Sequence, residues 1–191
     1  MIYRRYVKRA LDIVCAAAGI LVLSPLLAAL AVWVKLDSAG PVLFRQKRVG
    51  KDKTLFCILK FRTMYADTPK DVPTHLLQNP EAMITRSGRF LRRTSLDELP
   101  QLFNILAGQM SVVGPRPQRS FEVAEYDPVY ATRLLVKPGI TGPWQVSGRN
   151  DLNEEESRQL DVSYVQDWSV MGDVVYILRT IGTVLHPSGA Y

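Results

Sequence analysis

From Ile13 to Val34 the chain is almost wholly apolar. As a straight helix these roughly 22 residues reach about the hydrocarbon thickness of a bilayer. Ser24-Pro25 breaks the middle of the run, because proline removes a helical hydrogen bond and bends the axis. Both flanks are basic: Arg4, Arg5, Lys8 and Arg9 before it, and Arg45, Lys47, Arg48, Lys51 and Lys53 after it. Three readings compete. A signal peptide would end near Ala29-Leu30-Ala31. A spanning helix would put one basic flank on the wrong side of the membrane, whereas a re-entrant hairpin keeps both on one face. By pattern alone the span and the hairpin stay level.

Further on the period changes. Val42-Leu43-Phe44, a turn at Gly50-Lys51-Asp52-Lys53, and Thr54 to Leu59 predict a β-hairpin over residues 41–61. Lys60 and Arg62 then point to one face, as a solvated strand end, a phosphate contact or a contact with an anionic membrane surface. Residues 66–88 read as a polar loop with one short helical turn. Ser95-Leu96-Asp97-Glu98 fits a capping box, with Ser95 as N-cap and Glu98 reaching back. Leu99, Leu102, Phe103 and Leu106 supply an apolar helix face, and Gly108 a stop. Ser111 to Gly114 is a short strand or loop. Ser120 to Leu135 is a helix interrupted near Asp127-Pro128. Lys137 to Asn150 is Gly- and Pro-dense loop carrying Trp144. Glu154 to Trp168 is a helix with Leu160, Tyr164 and Trp168 on one face. Asp161 lies near that face, either a site residue or a surface charge. Val174, Leu178, Ile181 and Leu185 form a last stripe, packed on the core by default or resting on a membrane.

At 191 residues and net charge +6 the chain suits one domain with an appendage and an anionic partner. Its basic residues lack interleaved aromatics and a nucleic-acid partner would leave the apolar run unexplained, so none is expected. Cys15 and Cys57 lie in apolar or strand-like runs and read as buried thiols, with no disulfide framework. There is no zinc spacing. The two histidines, His75 and His186, lie beside prolines or loop signals, which argues against a histidine triad.

The chemistry concentrates at Asp97-Glu98, set between Arg92-Arg93 and Pro115-Arg116-Pro117. A divalent cation needs oxygen ligands, and a phosphate needs guanidinium and N–H donors. The plainer reading is a helix start, where acidic residues suit the macrodipole.

Taken together, the motifs resemble the monotopic phosphoglycosyl transferases, the bacterial sugar transferase family. They are the basic start and broken apolar segment, Lys60-Phe61-Arg62-Thr63-Met64, Ser95 to Gln101, Gly114 to Pro117, Pro138 to Gly142 with Gln145-Val146 and Gly148-Arg149, and the closing Gly189-Ala190-Tyr191. The resemblance implies transfer of a sugar 1-phosphate from a UDP-sugar to polyprenyl (undecaprenyl) phosphate, with release of UMP. It implies catalysis by Asp97 and Glu98 with Mg2+: Asp97 as nucleophile forming a covalent phospho-sugar intermediate, Glu98 holding the metal beside it. Direct attack by the acceptor, without covalent Asp97, is the alternative. Arg92, Arg116 and Lys60 would contact phosphate. Arg149, Gln145, Asp161 and Tyr164 would face the nucleotide or sugar. The implied fold is α/β, a small mixed helix/strand cytoplasmic domain over residues 38–191 with amphipathic surface helices. Residues 1–37 would form a re-entrant segment with Ser24-Pro25 at its bend and Lys8-Arg9 near its entry, in the bacterial inner membrane with the active site facing the cytoplasm. Trp144 and the Gly-Ala-Tyr end point to hexose 1-phosphates. Many relatives carry a large N-terminal membrane region before this point, so the chain is a short form or part of a longer protein. Oligomeric state, homodimer included, stays open.

Overall fold

The structure is a computed structural model and describes residues 6–69, 72, 77, 79–148 and 152–185. It is a mixed helix/strand domain on one long N-terminal helix. The helices are α1 (Lys8–Asp37), α2 (Arg86–Thr94), α3 (Gln101–Leu106), α4 (Ser120–Ala124), α5 (Pro143–Val146), α6 (Glu154–Asp167) and α7 (Val170–Leu185). The strands are β1 (Leu43–Val49), β2 (Leu55–Phe61), β3 (Ser111–Val113) and β4 (Gly139–Thr141). β1 and β2 form the expected antiparallel hairpin, with Leu43 opposite Phe61 and Val49 opposite Leu55. Its turn places Asp52 and Lys53 in the left-handed region. β3 and β4 pair in parallel.

Helix α1 stays helical through Ser24-Pro25. Pro25 has no N–H for the carbonyl of Leu21, four residues back. The Ser24 hydroxyl donates to that same carbonyl at 2.8 Å, so the interruption is one of hydrogen bonding, repaired locally. Both ends of α1 dock on the same domain. At the first end, Lys8 Nζ donates to Asp173 at 2.6 Å, and Arg9 donates to the Ile105 and Leu106 carbonyls at 2.6 and 2.9 Å. Asp12 accepts from the Ser111 hydroxyl and the Val112 N–H. At the other end, Leu30 and Val34 pack on Phe61 and Leu91. There Arg62 donates to the Ser38 carbonyl at 2.7 Å and to that of Ala39, and Asp37 accepts from the Ser87 N–H and hydroxyl. Between the ends the outer face is bare, with Leu21 and Val22 76 and 74% exposed. Lys8 and Arg9 therefore brace helices, and Lys8 is only 6% exposed.

Several apolar positions behave otherwise than their pattern suggests. Cys57 is exposed on the hairpin face opposite buried Phe56 and Ile58, and Cys15 is exposed on the outer side of α1. On α3 the inward residues are Gln101, Asn104 and Ile105, while Phe103 and Leu106 are exposed. Asn104 faces inward because its amide completes β2: it accepts from Leu59 N–H at 3.0 Å and donates to the Cys57 carbonyl at 2.8 Å. The α7 stripe of Val174, Leu178 and Ile181 is exposed rather than packed. The Gly- and Pro-dense loop also holds order: β4 and α5 lie inside it.

Candidate active site

The acidic pair is not set by a capping box. Ser95 closes α2 with φ 57°, ψ 15°, its N–H donating to the Arg92 carbonyl. A capping serine needs extended backbone, and here its side chain makes no cap bond. A short 3-10 turn, Leu96–Glu98, then presents Asp97 and Glu98, and α3 begins only after Pro100.

Released from capping, the Glu98 carboxylate reaches two cations. Its Oε1 accepts from Lys60 Nζ at 2.7 Å and from Arg116 Nη2 at 2.8 Å. Lys60 Nζ lies 3.9 Å from Asp97 Oδ2. Burial alone would raise Glu98, but Arg116 and Lys60 hold it well below the usual carboxylate range. Burial raises Asp97 instead; Lys60 opposes this and the Glu98 charge reinforces it. The neighbours are thus tuned apart. Arg92 donates to the Thr63 hydroxyl at 3.2 Å and its charge acts on Asp97. The Arg116 guanidinium lies 5.8 Å from the Trp144 ring centre.

Lys60, Arg92, Asp97, Glu98, Arg116 and Gln145 all line one cleft of about 1550 Å³. That exceeds the several hundred Å³ of an ordinary ligand pocket, leaving room for an extended substrate or for two. Its lining also includes the apolar Ile140, Trp144, Ile177 and Ile181.

Asp161 and Tyr164 do not line it. Asp161 is sealed behind it, 2.7 Å from Arg133, and burial pushes its carboxyl up to about 6 despite that guanidinium. Tyr164 donates towards the Val113 carbonyl and Asp173, bracing α6 against β3 and α7. Arg149 lies outside the described residues. Sequence reasoning passed over Arg48 and Arg133. The hairpin register sets Arg48 opposite Phe56, four pairs along from Phe44 opposite Lys60. Arg48 therefore shares the Lys60 face, which alternation reveals once the register is known. Arg133 had no local signal.

Paired carboxylates ringed by cations thus line one cleft of a domain that carries a long apolar helix. The chain belongs to the bacterial sugar transferase family, whose pattern matches residues 3–187. It is 40% identical to the undecaprenyl-phosphate galactose phosphotransferase of Salmonella typhimurium, over 98% of this chain and 42% of that protein. Identity is 43% to the UDP-glucose:undecaprenyl-phosphate glucose-1-phosphate transferase of Escherichia coli, over 93% of this chain and 40% of that one. It is 38% to the exopolysaccharide production protein ExoY of Rhizobium meliloti, over 96% and 88%. The chain thus spans less than half of the first two relatives and most of the third.

Proposed function

We propose that this chain transfers a hexose 1-phosphate from a UDP-sugar to undecaprenyl phosphate, releasing UMP, as a first membrane step of bacterial exopolysaccharide or lipopolysaccharide assembly. The observation that carries it is the cleft itself, where Asp97 and Glu98 meet Lys60, Arg92 and Arg116.

An Asp97 carboxylate oxygen attacks the phosphorus that bears the sugar. A P–O bond forms to Asp97, and the bond to the nucleotide phosphate breaks with UMP as leaving group. A phosphate oxygen of the lipid then attacks the same phosphorus, and Asp97 departs as carboxylate. Lys60 and Arg116 neutralise the diphosphate oxygens, without which a carboxylate is a poor nucleophile for phosphorus. Arg92 lies on the same side as Asp97 and adds a third cation. Trp144 and Gln145 border the nucleotide or sugar, and Arg149 follows them in sequence.

Magnesium belongs to the proposal. Among the described residues no cluster of three or more His, Cys, Asp or Glu could hold a metal. Asp97 and Glu98 nevertheless fit Mg2+, which needs one or two carboxylates beside substrate phosphates and water. When bound, it supplies Lewis-acid charge neutralisation at the diphosphate.

Helix α1 is long and apolar enough to cross a membrane, with a mean hydropathy of 2.5 over its most apolar window. We read it as re-entrant, with the catalytic domain on the cytoplasmic face of the inner membrane. A perpendicular span would drag one of its two docking surfaces, with that surface's polar groups, through hydrocarbon. Exposed Phe103 and Leu106 on α3, and the α7 stripe, suit the same interface.

The test is UMP release from UDP-glucose, UDP-galactose and UDP-N-acetylgalactosamine, with Mg2+, undecaprenyl phosphate and detergent. One donor is expected to yield UMP with wild type and not with Asp97→Asn. Equal UMP from Asp97→Asn would remove the nucleophile. Sequential rather than ping-pong kinetics would favour direct attack by the acceptor.

A further inference from the structure

Arg48 is a guanidinium that the chain itself leaves undermatched. It lines the same cleft as Asp97, Glu98 and Arg116, and its side chain is 20% exposed. It donates to Gln46 Oε1 at 2.7 Å and, at 3.3 Å, to the Pro117 carbonyl. Its Nε is buried with no hydrogen-bond partner. The nearest carboxylate oxygen, Glu122 Oε2, is 3.8 Å away and already taken. That oxygen accepts from the Arg119 N–H at 2.6 Å and from Arg119 Nε at 3.3 Å. The Gln118 amide, turned to its bonding orientation, donates to both Glu122 oxygens. Burial, with the charges of Arg116 and Arg119, lowers the Arg48 pKa to about 10. A cation held out of water with a spoken-for counter-ion is costly unless an anion arrives.

Glu98 already engages Lys60 and Arg116. Arg48 and Arg119 therefore stand as a second cationic group in the cleft, with one shared acid. We propose that Arg48, flanked by Arg119, forms a second phosphate subsite, taking phosphoryl oxygens of a substrate whose reacting phosphorus lies at Asp97. This rests on the reading of the cleft as a sugar-phosphate transfer site. The phosphate belongs either to the nucleotide half of the donor or to the acceptor lipid. Guanidinium suits both, since its fork matches two phosphate oxygens at once.

Three measurements on the full chain in detergent test it with Arg48→Gln and Arg48→Lys. The first needs no turnover: inorganic pyrophosphate raises the melting temperature of wild type, and Arg48→Gln loses most of that rise. The others are the donor KM for UMP release and the acceptor KM at saturating donor. Arg48→Gln raises one of them by about tenfold or more, the usual effect of losing a charged hydrogen bond, while kcat stays within about threefold. Arg48→Lys recovers part of the loss. A raised donor KM places the nucleotide phosphate at Arg48, and a raised acceptor KM the lipid phosphate. A folded Arg48→Gln with the wild-type pyrophosphate shift and both KM values intact overturns the subsite. So does a fall in kcat alone, which would make Arg48 only a brace for the Pro117 carbonyl. If Arg48→Gln does not fold, Arg48→Lys decides by the same readings. Wild type that yields no UMP, yet shows Arg48-dependent pyrophosphate stabilisation, would sink the transferase reading and keep the subsite.

Discussion

Two acid–guanidinium groups meet back to back at Arg116. Its side chain grips Glu98 in the cleft, while its carbonyl accepts from Arg133 Nη2 at 2.7 Å. Arg133 in turn pairs with Asp161 and donates to the hydroxyls of Tyr126 and Tyr130. The chemistry is alike but access differs. The Arg133 and Asp161 side chains are 2 and 5% exposed, those of Arg116 and Glu98 36 and 18%. In the sealed pair the Arg133 guanidinium is spent on protein partners. In the open group a metal or phosphate can still compete. An acid near an arginine is therefore evidence of a site only when something else can reach it.

The contrast breaks most sharply at the two aspartates. Asp97→Asn should cut UMP release by at least about a thousandfold, as loss of a nucleophile does. It should leave the melting temperature intact or higher, because burial already favours an uncharged group there. Asp161→Ala should do the reverse. It strands Arg133 and should cost about 3–5 kcal/mol of stability, read by denaturant unfolding.

Acidity sharpens the comparison. The raised Asp161 value means that its stability contribution is fully present below the ordinary 3.8 and is lost as pH rises through about 6. Wild type should therefore gain stability relative to Asp161→Asn as pH falls from about 6 towards 3.8. A gap constant with pH would show that the Arg133 pairing outweighs burial. Arg116→Lys keeps the charge but loses the planar fork, and should lower kcat/KM for the donor by about tenfold. The smallest effect is expected away from both groups. Ser24→Ala leaves the Leu21 carbonyl without its donor and should cost about 1 kcal/mol or less by thermal unfolding in detergent.

The hairpin was legible because its period of two and the Gly50–Lys53 turn agree. So was the interruption at Asp127-Pro128, where Asp127 accepts from the N–H groups of Val129 and Tyr130. Helix α2 was not. Four of its nine residues are arginines, and its Gly88 reads as a breaker. The glycine is there because a Cβ would meet the Thr63 carbonyl oxygen at 2.0 Å. Asp97 and Glu98 stood out by charge context, but the local pattern assigned Glu98 to Ser95. The long-range pull of Lys60 and Arg116 decided otherwise. Asp161 could not be sorted, because helical spacing places it near Tyr164 without saying what faces it. Only Arg133, 28 positions earlier in the chain, resolves it.

The long helix and the acidic turn share their fasteners. Arg9 closes the end of α3, the helix that begins three residues after Glu98. Arg62, two residues past Lys60, closes the end of α1. Removing α1 would strip the cover from Phe61 and Leu91 and leave Ser111, Ser87 and the α3 carbonyls without their partners. Trimming α1 away should therefore destabilise the domain that carries the cleft. Newly made protein should acquire its finished cleft only after α1 has docked at both ends, so that completion of the site waits on a helix remote from it in the chain.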